Sequence, residues 1–450
     1  MTTDTFLSIE EAGAFLDANP AVTWIDIVLF DMNGMARGKR VRRADLVGAA
    51  KNGLLLPASV YVLDPRGNSI AETGRLWETG DHDIPFRILA GTLKPVPVGA
   101  GTHAQAVMVP VEFCDMDPRA VLAAQVDRLT AAGQNPVVAV ELEFYVTRRS
   151  ADGHFTLETP PGLSSDPERP MTFQFEEMDT LGPFIDDVYR IAEAQGLPVD
   201  AVMQESGPGQ FEINLKHSDA MSAALNGLLL KRAVKAAARA HDLEATFMAK
   251  PHHDWTGSGM HVHVSLVDAQ GRNLFAGDPM APMFRHAIGG LCQSMPDFMA
   301  VWAQSANAYR RYVPESYVPM AAHWGFNNRT VALRIPHGSG AATRIEHRVS
   351  GADANPFLVV AAILAGIRHG LTNAVDPGPH AEGNAEDALD CAGLPTAWVN
   401  ALETFRSSNI VREAFGAPFQ DVYYRLKQTE RIAFERIVTS LDYEWYAQVA

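Results

Sequence analysis

Glutamates recur in this chain at spacings that place carboxylates on one face of a strand. Val140-Glu141-Leu142-Glu143-Phe144 is the first case. Strand side chains alternate between faces, so Glu141 and Glu143 project together while Val140, Leu142 and Phe144 pack behind them. Two carboxylates that close repel unless something positive sits between them. Glu205 and Glu212 flank a Gly207-Pro208-Gly209 turn, and the second opens a strand that runs on to Asn214. Gly257-Ser258-Gly259 leads into Met260-His261-Val262-His263-Val264-Ser265, again with a period of two. Arg344, Glu346 and Arg348 share another such face.

Each pattern alone has an ordinary explanation: a solvated strand face, a polar loop, a hydrogen-bonded histidine pair, a surface ion pair. Together they offer five glutamates with one or two histidines, a hard, oxygen-rich set that suits Mg2+ or Mn2+ better than zinc. Arg310, Arg311, Arg329, Arg334, Arg344 and Arg348 cluster in the same stretch of sequence. Carboxylate-held cations beside arginines fit phosphoryl transfer, where positioning and charge neutralisation are the main tasks. No Walker loop and no G-x-S-x-G occurs, so neither a P-loop enzyme nor an α/β-hydrolase is supported. A binuclear metal hydrolase would draw more of its ligands from histidine.

The elements that must position these residues follow from periodicity and punctuation. Residues 24–42 read as a β-hairpin around Asn33-Gly34, whose turn needs positive φ. Residues 85–110 contain short strand-like pieces, so the first region is a small mixed unit. Asp117 is a good N-cap and Pro118 suits a first helical turn, which sets the boundary between domains of residues 1–112 and 113–450. Strands are expected at Val137–Thr147, Gln210–Lys216, Ala245–Lys250, Gly259–Val267, Thr330–Pro336 and Ile345–Ser350. Helices follow Pro118 to about Gly133 and occupy Thr180–Gln195, Asp219–His241, Ala281–Ser305 and Pro356–Thr372. Residues 148–170 and 374–395 are polar and rich in Pro and Gly, and read as loops.

Composition excludes other classes. With 37 Lys plus Arg against 53 Asp plus Glu, a net charge of −16 disfavours nucleic acid or an anionic membrane as partner. Cys114, Cys292 and Cys391 form neither a disulfide framework nor a C-x-x-C site, which points to a reducing cytoplasm. The N-terminus is acidic where a signal peptide needs basic residues. The longest apolar run, Phe357–Ile367, is too short to span a bilayer and reads as a buried core helix.

The sequence resembles the glutamine synthetase family over essentially its whole length. The motifs are V-E-L-E-F-Y at 140–145, G-P-G-Q-F-E-I-N at 207–214, K-P and G-S-G-M-H-V-H-V-S within 250–265, N-R-T-V-A-L-R-I-P at 328–336 and R-I-E-H-R with A-N-P within 344–356. The resemblance implies an α+β fold: an N-terminal β-grasp domain, then a larger catalytic domain built on an antiparallel sheet. It also implies a homo-oligomer of two stacked rings (a dodecamer), each active site completed by a neighbour's N-terminal domain. By position, Glu143, Glu205 and Glu212 would hold one divalent metal, and Glu141, His261 and Glu346 the other. Gly257, Arg311, Arg329 and Arg348 match glutamate-binding positions, and Asp200, His263, Ser265 and Arg334 match positions near ATP. The implied reaction phosphorylates the γ-carboxylate of glutamate with ATP, after which an amine displaces phosphate, with Arg311 and Arg329 steadying the reacting groups.

Three departures bear on the amine. Ammonia-using members carry D-G-S-S where Leu56-Pro57-Ala58-Ser59-Val60 stands, and an acidic flap residue where Tyr317 stands. A glutamate-loop Asn is replaced by Thr256. The hairpin sequence F-D-M-N-G-M-A-R-G-K-R and P-A-S-V-Y-V-L-D at 57–64 look like the γ-glutamylputrescine synthetase branch, with putrescine or a related polyamine as substrate. Ligation of ethanolamine or a monoalkylamine, and a divergent ammonia-using enzyme, are the alternatives. An alkylamine arrives protonated, with a pKa of about 10.4, so an acid is expected to meet it: Glu315, or Asp64 of a neighbouring subunit.

Overall fold

A computed structural model describes residues 5–99, 101–148, 159–164, 166, 170–277, 280–387 and 393–450. Parts of the two expected loops, 148–170 and 374–395, lie outside the described residues. The first sheet contains β1 (Trp24–Phe30), β2 (Ala36–Arg42), β3 (Leu54–Pro57), β4 (Asp83–Ile88), β5 (Lys94–Val96) and β6 (His103–Pro110). Its order is β2-β1-β6-β4-β3, with β5 also on β6. β1 and β6 run parallel at its centre and the other pairs are antiparallel, an arrangement consistent with a β-grasp unit. The expected hairpin forms, pairing Trp24 with Arg42 through Phe30 with Ala36. Its turn takes positive φ at Gly34, 74°, as the sequence requires.

The second sheet holds β7 (Asn135–Thr147), β8 (Val199–Gln204), β9 (Gln210–Leu215), β10 (Ser218–Asp219), β11 (Glu244–Thr246), β12 (Met260–Val267), β13 (Trp324–Phe326), β14 (Leu333–Ile335) and β15 (Ile345–His347). Its order is β13-β14-β15-β12-β7-β9-β8, with β10 and β11 also on β7. Among the described residues of this sheet, only β13 and β14 pair in parallel. Val138, Val140, Leu142 and Phe144 of β7 are buried on one face, while Ala139, Glu141 and Glu143 alternate onto the other. The buried face is covered by helices. The most apolar of them, Pro356–Asn373, packs against Pro282–Trp302 and buries the whole of Phe357–Ile367. It is long and apolar enough to cross a membrane, but it is a core helix.

Three expected strands are shorter by more than one residue, each because the backbone is diverted toward the site. After Thr246 the chain turns so that the Ala249 carbonyl accepts from Ser258 and the Lys250 amide donates to Asn307. Before Leu333, Thr330 is held in a side-chain turn by Asn328. After His347, the Val349 carbonyl accepts from Arg311 and Tyr312. The expected helix at 180–195 is two, Glu176–Thr180 and Gly182–Gln195, with Pro183 in the first turn of the second.

The hairpin turn keys the first sheet onto the rest of the chain. Gln304 donates to the Asn33 carbonyl (3.1 Å) and Asn355 to the Asp31 carbonyl (2.9 Å). The buried Lys427 ammonium donates to the Asn33 side chain.

Candidate active site

Register explains why the acids meet. β12 pairs with β7 so that His261 lies opposite Glu141, and β9 pairs with β7 so that Glu212 lies opposite Glu143 and Asn214 opposite Glu141. β15 pairs with β12 so that Glu346 lies opposite His263. Glu205 follows β8 directly, its amide donating to the Gln210 carbonyl across the Gly207–Gly209 turn. The buried Glu177 carboxylate fixes that turn, accepting from Gln204 (2.7 Å) and the Gly209 amide (2.8 Å). Like charges directly opposite one another on a sheet are destabilising, so the Glu143–Glu212 pairing needs a compensating cation.

All six expected metal ligands, Glu141, Glu143, Glu205, Glu212, His261 and Glu346, line one cavity of about 510 Å3. Arg311, Arg329, Arg348, Arg334, Gly257 and Tyr317 line it too. A second cavity of about 720 Å3 lies on the other side of Glu141 and takes in Asp200, His263 and Ser265. Glu141 and Asn214 are the residues common to both. Arg334, expected near the nucleotide, instead faces the first cavity and bonds Glu346 at 2.7 Å.

Charge is unevenly balanced among the acids. Burial opposes ionisation of Glu346, yet the charges of His261, Arg348, His263 and Arg334 hold it down at about 2. Arg348 and Arg334 bond its two oxygens at 2.6 and 2.7 Å. Burial opposes ionisation of Glu141 also, and hydrogen bonds from His261 and His263 hold it well below the usual carboxylate range. Arg344 Nε donates to His263 Nδ1 (3.1 Å), so in the neutral ring the proton sits on Nε2 and points at Glu141 (2.8 Å). The opposite holds for the other pair. Burial and then the Glu143 charge push Glu205 up to about 7, with Arg329 and Arg348 offsetting only part. Burial and then Glu141, Glu143 and Glu205 push Glu212 well above its ordinary value. A carboxylate cluster that cannot ionise fully on its own cations fits divalent metal ions, and hard oxygen donors favour Mg2+ or Mn2+.

The glycines before β12 let the arginines approach. A Cβ on Gly257 would lie 2.8 Å from Arg311 Cγ and 3.0 Å from the Ala249 carbonyl oxygen. Arg311 is buried and its Nε has no partner among the described residues. The flap 313–319 carries two strained residues, with φ of 59° at Glu315 and 55° at Tyr317. Tyr317 lies at the cavity mouth, 64% exposed. Glu315 does not line the cavity; it faces solvent and its amide donates to Glu386. Asp64 is buried and closes its own loop, accepting from Arg66 and Asn68. Neither acid is placed within this subunit to meet an amine.

Several lining residues go beyond the sequence expectations: Thr172, Phe173, Met203, Ser206, Asn214 and Val318. Asn214 had a signal, closing the G-P-G-Q-F-E-I-N motif in phase with Glu212. Phe173 had none, because its place depends on a loop folding over the sheet edge. It carries a φ of 61°.

These strands, acids and arginines define the class. Residues 115–446 match the family model for the glutamine synthetase catalytic domain, and the chain belongs to that family as an ATP-dependent carbon–nitrogen ligase. Among its relatives, the gamma-glutamylputrescine synthetase PuuA of Escherichia coli (strain K12) is 38% identical, over 97% of this chain and 94% of that protein. The gamma-glutamylethanolamide synthetase GlnA4 of Streptomyces coelicolor is 30% identical, over 97% and 95%. A solved GmaS/ADP complex has the same fold, with a TM-score of 0.84, 23% identity and 97% and 99% of the two chains covered.

Proposed function

We propose that this enzyme joins the γ-carboxylate of glutamate to putrescine or a related polyamine, through a γ-glutamyl phosphate and with release of ADP and phosphate. The observation that carries this reading is the flap. Tyr317 stands at the mouth of the carboxylate-lined cavity, where ammonia-using members carry an acid, and offers an aromatic face to an alkyl chain. The 38% identity to a γ-glutamylputrescine synthetase over nearly the full chain supports the same amine.

In this reading Glu143, Glu205 and Glu212 hold one metal, and Glu141, His261 and Glu346 the other. When bound, the ions neutralise the phosphoryl oxygens and polarise the transferred group. Arg311 and Arg348 orient the carboxylates of glutamate, with Gly257 giving them room. Arg329, exposed at the cavity rim, offsets charge on the γ-phosphoryl. Asp200, His263 and Ser265 face the nucleotide, and Arg344 holds His263 in the tautomer that donates to Glu141. Arg334 works from the metal side rather than the nucleotide side, by neutralising Glu346.

The chain is proposed to act in the cytoplasm as a homo-oligomer of stacked rings. Ile437, Val438, Leu441, Tyr443, Trp445, Tyr446 and Val449 near the C-terminus are all exposed. An apolar tract of that kind marks a protein contact. In the oligomer the base for the amine comes from the cavity mouth or a neighbouring subunit.

The test is ADP release with ATP, Mg2+ and glutamate, comparing putrescine, spermidine, ethanolamine, methylamine and ammonium. Putrescine or spermidine should turn over well above ammonium. Ammonium preferred over every amine would sink the reading and make this a divergent glutamine synthetase. A preference for ethanolamine is the second reading, favoured by the 30% identical ethanolamide synthetase.

A further inference from the structure

A cavity of about 440 Å3 lies apart from the catalytic cavities, between the first sheet and the helix Ala220–Ala240. Arg232, Lys235 and Arg239 line it from that helix, at spacings of three and four residues that put them on one face. Arg40 and His103 line the opposite wall. Against these stands one lining carboxylate, Asp26, which bonds Arg40 at 2.6 and 3.1 Å and reaches Arg232 at 3.5 Å. Glu244 lies near enough to Lys235 to favour its charge. Among the described residues, neither Lys235 nor Arg239 has a hydrogen-bond or ion-pair partner.

The walls are built rather than incidental. Arg232 donates to Gln105 (3.0 Å), and Gln105 donates in turn to Gln195 (2.8 Å), with both glutamines buried. That relay ties β6, the helix Gly182–Gln195 and the helix Ala220–Ala240 together around the cleft. Its cations crowd one another: burial, then Arg239 and Arg40 alongside, lower the pKa of Arg232 despite Asp26. The C-terminal dipole of the helix favours cations there, but it carries only about half a negative charge. That falls well short of the excess. A cationic cleft in a chain of net charge −16 disfavours a polyanionic macromolecule and favours a small ligand.

We infer that this cleft is a binding site for a small dianion, a dicarboxylate or a phosphorylated metabolite, held by Arg232, Lys235 and Arg239. Geometry favours it: the three side chains line one concavity, whose volume lies within the range of small-molecule sites. The seam position lets such a ligand brace the N-terminal sheet against the catalytic body.

The experiment is calorimetric titration of the full-length protein, saturated with Mg2+ and ADP so that the nucleotide cavity is filled. Succinate and inorganic phosphate are the two ligands, which separate the carboxylate source from the phosphoryl one. One of them should bind at one equivalent per chain, and weaken about tenfold or more in Lys235→Gln with Arg239→Gln. Both positions are exposed on the helix, so folding should survive. Lys235→Arg should retain binding, and turnover with saturating substrates should be unchanged in both variants. Affinity equal in parent and double variant would place the anion elsewhere and overturn the assignment, as would no binding of either ligand to the parent.

Discussion

Removing one acid should make the metal-free enzyme more stable while destroying its response to metal. The perturbation is Glu212→Gln, which keeps the shape of a buried side chain and deletes its charge. Oxygens of Glu212 and Glu141, with a nitrogen of His261, all lie within 4.8 Å of one another. Two unit charges at that separation repel by about 3 kcal/mol at an effective dielectric of about 20. Glu143, directly opposite on β7, adds to the strain. An unfolding entropy of about 2 cal/mol/K per residue, taken over the 450 residues, converts about 3 kcal/mol into about 3 °C. Melting temperatures would be followed at pH above neutrality, in chelator and in millimolar Mg2+. The variant should melt a few degrees above the parent in chelator. Mg2+, which raises the parent's melting temperature, should raise the variant's far less, and ligase turnover should collapse. A variant that melts lower than the parent in chelator, or keeps the parent's full response to Mg2+, would refute the idea that the carboxylates await a cation.

Gly257→Ala should raise the KM for glutamate about tenfold or more with little loss of stability, because the new methyl would push Arg311 from its seat; an unchanged KM would remove Gly257 from the site. Asp31 offers a pH test, since burial pushes its carboxyl up to about 6 despite Arg37 and two backbone N–H donors. Its folded value exceeds the unfolded one of 3.8, so the stability it lends is full below that value and is lost as pH rises to about 6, a change of about 3 kcal/mol. Asp31→Asn should flatten that part of the profile of melting temperature against pH, and an unaltered slope would contradict it. Asn33→Ala strips the buried Lys427 of a partner and should cost about 1–3 kcal/mol in chemical denaturation; a loss near zero would mean that Glu430 alone satisfies the ammonium.

What could be read beforehand was whatever depends on local period. The Glu141–Glu143 and His261–His263 pairs follow from alternation on a strand, and the core helices from runs of apolar residues bounded by Asp117-Pro118 and Asn355-Pro356. Partner choice was not local. Arg344, Glu346 and Arg348 were expected on one face, yet Arg348 and Arg334 take Glu346 while Arg344 reaches His263 across the sheet. Likewise β8 was not anticipated: Val199-Asp-Ala-Val-Met-Gln is too mixed to alternate cleanly, and it is a strand because β9 offers an edge. The helices Trp398–Ser407 and Ala417–Glu435 also lay beyond the expected elements.

The pairing of β7 with β9 and β12 has a consequence for how this gene can change. Every catalytic side chain of the sheet sits at an even offset from its neighbour on the same strand. Deleting or inserting one codon within β7 or β12 would turn the downstream part of that strand over, handing the cavity Leu142 or Val262 in place of an acid or an imidazole. Two-codon changes would preserve facing but slide Glu141 out of line with His261. A library of single-codon deletions should therefore show a dead zone over β7, β9 and β12, harsher than most point substitutions there.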